Sequence, residues 1–153
     1  MTDFDVKTTC CFSGHRELDD TFFIDNTEET IKKLIKEGYK TFLVGMALGY
    51  DTVVFQTLLK YKKNNIDIIA CVPCPEQSKY FTKEQQKTYL ELLNKADKIV
   101  NVSNEYSKGC MFKRNRYMVD NSSLLVAYLK ENKGGTYYTV KYALSLNKKL
   151  VLV

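Results

Sequence analysis

Short apolar runs rich in β-branched residues alternate with helical patterns along the whole chain, and this alternation constrains the fold more than any other feature. Six strands are predicted, at residues 8–12, 41–44, 66–72, 98–102, 124–128 and 150–153. The run at 66–72 is almost continuously apolar, which is typical of a strand buried on both faces. Because strand–helix crossovers are right-handed, the pattern predicts a three-layer α/β fold with a largely parallel sheet of about six strands.

Helical segments separate these strands, and local signals mark several of their ends. Residues 26–29 (Asn-Thr-Glu-Glu) are predicted to cap a first helix that Gly38 ends. Thr82 and Gln85 fit a capping box, which predicts a further helix running to about residue 96. The other helices are predicted at residues 52–63, 111–121 and 136–146.

Length and composition indicate one cytoplasmic domain spanning residues 1–153. A chain of 153 residues that is 44% hydrophobic is long enough to bury a core without disulfides or a structural metal. No apolar run approaches the ~18 residues of a membrane helix, and residues 1–5 do not resemble a signal peptide, so no membrane partner is expected. The five cysteines are an odd number, which also favours a reduced, cytoplasmic protein.

Arginine is rare in this chain, which makes its positions informative. Of the 23 basic residues, only Arg16, Arg114 and Arg116 are arginine. The rigid guanidinium binds phosphate or carboxylate through two hydrogen bonds, a geometry that lysine does not offer. The net charge of +5 permits nucleic-acid binding. The lysines are scattered over the predicted helices, however, so nucleic acid is the least favoured partner.

The segment after the first predicted strand lies at the edge where parallel α/β sheets bind ligands. Ser13, Gly14, His15 and Arg16 supply a hydroxyl, a flexible glycine, the single histidine and an arginine within one turn. This segment is either an ordinary turn or an anion cradle in which Arg16 contacts phosphate. His15 is either a general base or, more commonly for a histidine with no identified partner, a hydrogen-bonding or packing residue.

The segment after the second predicted strand opens a helix. The amides of such a helix start suit a phosphate or a carboxylate, although the pattern is neither GxGxxG nor a Walker A loop. Asp51 is either a helix cap or an acceptor for ribose hydroxyls. The segment reads Gly45, Met46, Ala47, Leu48, Gly49, Tyr50 and Asp51.

A CxxC pattern, Cys71 to Cys74, follows the third predicted strand. A redox CxxC usually opens a helix, but here no capped helix opens before Thr82, which favours structural cysteines in a turn made rigid by Pro73. One CxxC and one distant histidine do not supply four zinc ligands, so no metal is expected.

Residues 109–121 hold the most informative pattern in the chain. Met111, Arg114, Asn115 and Met118 fall at i, i+3, i+4 and i+7, which places them on one helical face. The two methionines predict that this face points inward. A buried arginine needs an anionic partner, either a carboxylate or a ligand phosphate, and the ligand is favoured.

Two weaker patterns concern the outer face of that helix and the start of the last helix. Arg116 and Asp120 are four residues apart, so they are expected to pair at the surface. Gly134, Gly135 and Thr136 open the last helix with the shape of a phosphate cradle, and the alternative is a simple turn with an N-cap.

Five segments occur together in a recognisable order, CCFSGHR (10–16), GMALGYD (45–51), PCP (73–75), GCMFKRNRYMVDNS (109–122) and GGTYYTV (134–140). They strongly resemble the YpsA-like family of the SLOG superfamily, and the resemblance runs from about residue 8 to the C-terminus. It implies a Rossmann-like nucleotide-binding domain. Members of the superfamily include phosphoribohydrolases, single-strand DNA-binding recombination mediators and sensors of NAD-derived nucleotides, and they commonly form dimers or larger assemblies.

The resemblance to the hydrolases fails at one position. They match this chain at Met111, Arg114, Asn115 and Met118, where their arginine is catalytic, and they carry a catalytic glutamate in the pattern Gly-Thr-x-x-Glu. The Gly-Thr pair is present at 135–136, but Thr139 stands at the glutamate position. A threonine cannot hold the negative charge that supports an oxocarbenium-like transition state. This difference favours binding without hydrolysis, and no catalytic residue is predicted.

The leading prediction is a module that binds a phosphorylated nucleoside or an NAD-derived nucleotide such as ADP-ribose, as a sensor or by sequestration. Arg16, Arg114 and the amides at 134–136 are expected to hold phosphates, with Asp51 or Asn115 on ribose hydroxyls. Tyr137 or Tyr50 is expected to stack on a base. The predicted ligand-binding residues are Ser13, Gly14, His15, Arg16, Gly45, Met46, Ala47, Gly49, Asp51, Pro73, Arg114, Asn115, Gly134, Gly135, Thr136, Tyr137 and Thr139.

Two alternatives remain open beside this prediction. An N-glycosidic hydrolase would use Arg114 with His15 or with an acid from elsewhere, acting on nucleoside monophosphates or NAD derivatives. A single-strand DNA-binding protein ranks last. No cofactor is predicted, and a homo-oligomer is expected from the resemblance.

Overall fold

A six-stranded sheet in which every paired strand is parallel forms the middle layer of the molecule. The computed structural model describes residues 4–153. The expectation about residues 1–5 therefore falls partly outside the described residues. The strand order is β4-β3-β2-β1-β5-β6, which confirms the predicted three-layer, Rossmann-like α/β fold. The strands are β1 (Thr9–Gly14), β2 (Thr41–Val44), β3 (Asp67–Val72), β4 (Lys98–Asn101), β5 (Leu124–Tyr128) and β6 (Lys149–Leu152).

Helices cover both faces of this sheet. The α-helices are α1 (Ile24–Lys36), α2 (Tyr50–Leu59), α3 (Lys83–Lys95), α4 (Cys110–Asp120) and α5 (Gly134–Ser145). Helices α1 to α3 pack on one face, and α4 and α5 pack on the other. The predicted second helix runs to residue 63, but Lys62 and Lys63 belong to a separate 3-10 turn, Lys62–Asn64. Within residues 4–153, no helix is long and apolar enough to cross a membrane.

Side chains of the central strands alternate between the two helical layers. Cys10 and Phe12 of β1 lie in the core beneath α1 to α3, whereas Cys11 lies in the core beneath α4 and α5. Phe42 and Leu43 of β2 divide in the same way. Because both faces of the sheet are covered, neighbouring residues must all be apolar, which explains the continuous apolar runs of the sequence.

One predicted helix start is confirmed by the structure, and another is wrong. The Thr82 Oγ1 accepts from the Gln85 amide at 3.1 Å, and the Gln85 Oε1 accepts from the Thr82 amide at 2.9 Å, so the predicted capping box is confirmed. Helix α1 begins at Ile24, before the predicted cap. Thr27 of that cap is buried and hydrogen-bonded through its hydroxyl to the Tyr50 hydroxyl at 2.8 Å, so it serves tertiary packing instead.

The chain leaves the sheet in opposite directions after two adjacent strands. β1 lies between β2 and β5, and β1 leads to α1 on one face while β5 leads to α5 on the other. Diverging connections leave a crevice at the carboxyl ends of the two strands, where open α/β sheets bind ligands. The loops after β1 and β2 and the first turns of α4 and α5 meet at this edge.

Two glycines allow the loops after β1 and β2 to pack directly on each other. A Cβ atom on Gly14 would overlap the ring of Tyr50. Gly49 has a φ of +78° and lies against the backbone carbonyl of Arg16, so a side chain there would be strained as well as obstructed. The Tyr50 amide donates to the His15 carbonyl oxygen at 3.1 Å, which joins the two loops.

We expect Gly14→Ala to lower the free energy of unfolding by about 2 kcal/mol, because the new methyl group displaces the buried Tyr50 ring. Urea denaturation followed by circular dichroism measures this change. Gly135→Ala is the matched control, since a Cβ at Gly135 meets nothing within 4 Å. Equal unfolding midpoints for the two variants would contradict the prediction.

Candidate functional site

A cavity of about 370 Å³, here called the strand-tip cavity, opens between the end of β1, the segment after β2 and the first turns of α4 and α5. Segments that are far apart in the sequence therefore meet at one place, as the strand-tip argument predicts. The predicted ligand-binding residues that line it are Ser13, Gly14, His15, Arg16, Ala47, Asp51, Arg114, Asn115, Gly135 and Thr136.

Arg114 is buried at the wall of this cavity, with only 4% of its surface exposed. Its Nη1 donates to the Gly45 carbonyl oxygen, its Nε donates to Asn115 Oδ1 at 2.7 Å, and its Nη2 lies 4.0 Å from Met111 Sδ. Burial lowers the pKa of Arg114, and the negative charge of Asp51 opposes that shift. A carboxylate is thus nearby, but Arg114 forms no direct ion pair within residues 4–153.

Asp51 is the second buried charged residue of the site. Its Oδ2 accepts from the Ala47 amide at 3.1 Å, whereas its buried Oδ1 has no hydrogen-bond partner among the described residues. Burial raises the pKa of Asp51 to about 6, against the lowering effects of Arg114 and the Ala47 amide. Asp51 is not a helix cap, because the cap position of α2 is Gly49 and Asp51 lies inside the first turn. An unpartnered buried oxygen carries a desolvation cost, so this carboxyl is held in place at the expense of stability.

Gly45, at the end of β2, separates these two charged side chains. A Cβ atom on Gly45 would lie 2.8 Å from Arg114 Nη1 and 3.0 Å from Asp51 Oδ2, so only glycine leaves room for both. The Gly45 carbonyl oxygen also accepts from Gln77 Nε2 at 3.5 Å, and Gln77 Oε1 accepts from the Tyr89 hydroxyl at 3.3 Å. The end of β2 therefore connects α4 with the buried polar groups next to α3.

His15 acts as a hydrogen-bonding residue, which is one of the two roles considered from the sequence. Its Nε2 accepts from the Lys130 amide at 2.8 Å, and its ring lies edge-on to Tyr128, with centroids 5.6 Å apart. Because Nε2 is an acceptor, this geometry corresponds to a neutral ring protonated at Nδ1. His15 thus ties the loop after β1 to the loop after β5, on the two sides of the crevice.

Some predicted residues lie near the strand-tip cavity without lining it. Thr139 is buried and its hydroxyl donates to the Gly135 carbonyl oxygen at 2.8 Å, within its own helix. Tyr137 is half-buried and has the Lys141 ammonium 5.5 Å from its ring centre. Met46 and Gly49 face a neighbouring cavity instead. The predicted residues that do not line the strand-tip cavity are Gly45, Met46, Gly49, Pro73, Gly134, Tyr137 and Thr139.

Two expectations from the sequence are wrong. Tyr50 cannot stack on a ligand, because it is completely buried and its ring stacks on Tyr128 with centroids 5.7 Å apart. Arg116 does not pair with Asp120: its Nη1 donates to the Tyr138 hydroxyl at 2.8 Å, and Asp120 Oδ1 accepts from the Tyr142 hydroxyl at 2.6 Å. Contacts between α4 and α5 thus replace the pair expected within α4.

The CxxC cysteines are buried structural residues with no disulfide partner. Burial raises the pKa of Cys74 to about 11 and raises that of Cys71 beyond it, so both stay protonated and unreactive near neutral pH. Among residues 4–153, no three His, Cys, Asp or Glu side chains are grouped to hold a metal ion.

Three residues that line the strand-tip cavity were missed by the sequence analysis: Phe12, Met111 and Phe112. The sequence analysis placed Met111 on the inward face of its helix, so helical position pointed to that residue, whereas no such signal marked Phe112 or Phe12, which lies in β1. Phe112 is 41% exposed and lies edge-on to Tyr138, with centroids 4.7 Å apart. Of the two phenylalanine rings that line the cavity, Phe112 is exposed and Phe12 is completely buried.

Comparison with known proteins assigns the chain to a family. The model of the YspA SLOG family (YpsA) matches residues 11–150. The chain belongs to this family. It is 35% identical over 134 residues to the uncharacterized SPbeta prophage-derived protein YoqJ of Bacillus subtilis, covering 78% of each chain. It is 27% identical over 135 residues to the UPF0398 protein BH1768 of Halalkalibacterium halodurans, covering 85% of this chain and 70% of that one.

Solved structures of DNA processing protein A share the fold of this family member. The Helicobacter pylori protein, described for its single-stranded DNA binding mode, superposes with a TM-score of 0.68 at 19% identity over 94% of this chain and 64% of its own. The Streptococcus pneumoniae protein gives a TM-score of 0.64 at 14% identity over 94% of this chain and 49% of its own. The chain thus spans less than two thirds of either protein.

We expect the buried carboxyl of Asp51 to make stability depend on pH. Its pKa is about 6 in the folded protein and near 3.8 when exposed, so only the folded state holds this proton between about pH 4 and pH 6. The contribution of Asp51 to stability therefore falls as the pH rises through that window. Between pH 5 and pH 7, the wild type should lose about 1 kcal/mol relative to Asp51→Asn.

Urea denaturation of both proteins at the two pH values measures this difference. Asp20→Asn, at an exposed position, is the matched control and should follow the wild type. The prediction is wrong if wild type and Asp51→Asn show the same change between pH 5 and pH 7.

Proposed function

We propose that this chain binds a phosphorylated nucleoside, and specifically an NAD-derived nucleotide of the ADP-ribose type, as a sensor or sequestering module. The observation that carries the proposal is the pair Arg114 and Asp51. Both are buried at the wall of one cavity, without an ion pair between them and with Asp51 Oδ1 unpartnered. Burying two charges in this way costs stability, which is expected where a ligand completes the contacts.

The phosphate is best placed against Arg16 and the start of α5. Arg16 is exposed, and it lines the same cavity as Gly135 and Thr136 in the first turn of α5. Helix N-terminal amides and a guanidinium both favour an anion. Arg114 is less suited to this role than the sequence implies, because its Nη1 and Nε already donate to neighbouring oxygens.

Ribose hydroxyls fit the inner wall of the strand-tip cavity. Asp51 Oδ1 is a buried acceptor with no hydrogen-bond partner among the described residues, and the Nη2 group of Arg114 lies 4.0 Å from the sulfur of Met111. Asn115 uses its Oδ1 to hold Arg114, which leaves its amide N–H groups to donate. A sugar diol, which both donates and accepts, satisfies these groups together. The exposed ring of Phe112 at the rim then offers a surface on which a base stacks.

Asp51 also favours a second candidate, an N-glycosidic hydrolase. A carboxyl whose pKa is raised to about 6 by burial is suited to donate a proton near neutral pH. In that reaction the bond from the sugar C1′ to the base nitrogen breaks, the base nitrogen takes up a proton, and water adds at C1′. The hydroxyl of Thr139 is engaged within its helix and contributes nothing to this step.

Calorimetry with AMP and ADP-ribose tests the binding proposal. We expect Arg16→Ala and Arg114→Ala each to weaken binding about tenfold or more, since each removes a charge-assisted contact. Arg116→Ala is the matched control and should stay within about twofold, because Arg116 hydrogen-bonds Tyr138 outside the cavity. If Arg114→Ala does not fold, the Arg16→Ala variant still tests the proposal, because Arg16 is exposed and its loss leaves the core unchanged.

The proposal is overturned if wild type binds neither nucleotide at millimolar concentration, or if all three variants bind alike. Chromatography of the recovered nucleotides separates binding from hydrolysis: unchanged ligand supports binding alone, and released base supports the second candidate. A salt-dependent shift of single-stranded DNA that requires Arg16 would support the DNA-binding role described for the Helicobacter pylori protein. We also propose that the chain forms a homo-oligomer, which sedimentation measures directly.

A further inference from the structure

A second cavity of about 690 Å³ lies beside the strand-tip cavity, between α2 and α3, and is here called the helical cavity. Its volume is nearly twice that of the strand-tip cavity and lies within the roughly 300–1,000 Å³ of small-molecule sites. Its walls are largely apolar, with Leu18, Met46, Val53, Phe81 and Leu92 among them. Two of the family motifs contribute to its lining, but residues 81–92, which belong to no motif, supply much of the rest, and none of the predicted ligand residues on α4 and α5 lines it.

Two residues line both cavities, Arg16 and Asp51. Asp51 has only 6% of its surface exposed, and its Oδ1 has no hydrogen-bond partner among the described residues. Arg16 is exposed at the same boundary and supplies a positive charge there. A molecule that contacts these two side chains therefore has space on both sides of them.

A chain of hydrogen bonds also connects the two cavities through the protein. Tyr89, at the wall of the helical cavity, donates to Gln77, and Gln77 donates to the Gly45 carbonyl oxygen that Arg114 also contacts. Met46, between the cavities, has a φ of +64°, a conformation that costs energy in a residue other than glycine. The loop that separates the cavities is thus strained at Met46, next to the Gly45 carbonyl oxygen that accepts from Gln77 and Arg114.

We propose that the helical cavity binds a second, ring-bearing half of the ligand, so that the ligand is bipartite: a dinucleotide or NAD-derived molecule rather than a mononucleotide. This inference rests on the proposed function. The phosphates bridge the boundary at Arg16, the sugar of one half meets Asp51 in the strand-tip cavity, and the ring of the other half enters the helical cavity.

The chemistry of the helical cavity suits such a ring. Phe81 lies edge-on to Tyr89, with centroids 5.7 Å apart, and the two aromatic rings form part of an apolar wall. Polar side chains at Thr88, Glu84 and Gln85 line the same cavity and offer hydrogen bonds to ring heteroatoms and hydroxyls. An apolar pocket with a few polar groups is the usual surrounding of a bound heterocycle.

Calorimetry with AMP and NAD⁺, whose two halves each carry a heterocycle, tests this inference on wild type, Thr88→Trp and Leu90→Trp. Thr88 lines the helical cavity, so an indole there fills it, whereas Leu90 is exposed two residues further along α3. Wild type should bind NAD⁺ at least tenfold more tightly than AMP. Thr88→Trp should remove most of that preference while leaving AMP affinity within about twofold, and Leu90→Trp should change neither.

Glu84→Trp provides a second readout at an exposed rim position that leaves the core intact. Stacking of the second ring should quench its fluorescence with NAD⁺ and not with AMP. Equal wild-type affinity for AMP and NAD⁺, equal losses for both in Thr88→Trp, or unquenched Glu84→Trp with bound NAD⁺ each overturn the inference. If AMP binding through Arg16 persists in those cases, the proposed function stands without it; if AMP, ADP-ribose and NAD⁺ all fail to bind, both fail.

Discussion

The hydrogen bond from the Arg114 guanidinium to the Gly45 carbonyl oxygen is the contact on which the strand-tip edge depends. It joins α4, in one helical layer, to the end of β2, in the sheet, and Gln77 extends it toward α3 in the other layer. A lysine at 114 would give a single point charge, whereas the guanidinium donates to Gly45 and Asn115 at once and remains charged when buried. Such an arrangement requires glycine at position 45, because any side chain there would occupy the space of Arg114 and Asp51.

The electrostatics of the site follow from that contact. Asp51 enters from α2 and lies close enough to affect the pKa of Arg114 without a direct ion pair, so the two charges offset each other incompletely inside the protein. Burial raises the cost of both charges, and the Ala47 amide satisfies only one carboxylate oxygen. The sheet has both faces covered by helices, and the apolar packing on those faces offsets the cost of burying the two charges. The same rigid sheet fixes the positions of the two groups relative to each other.

Sequence reasoning was most reliable where one local rule determines the outcome. Apolar runs gave the strands, the Thr82–Gln85 capping box gave a helix start, and helical spacing placed Arg114 on an inward face. It failed where a side chain has a choice of distant partners: Thr27 bonds Tyr50 instead of capping α1, and Arg116 bonds Tyr138 on another helix. Likewise, the helical cavity is formed by three separate segments, residues 16–18, 46–53 and 81–92, and no local pattern predicts that they meet.

The position of the acid distinguishes this site from the hydrolases that its motifs resemble. In the pattern Gly-Thr-x-x-Glu the carboxylate comes from the first turns of the last helix, whereas here Thr139 stands there with its hydroxyl bonded to Gly135. The carboxylate of the cavity comes instead from α2, next to Arg114, and partly offsets the charge of that arginine. Arg16 and the α5 amides are then the groups of the cavity that favour an anion. In the function that we propose, they orient a nucleotide with its phosphate outward and its sugar toward Asp51. The proposed phosphate position is the boundary of the two cavities, where a second half of the ligand has space to continue.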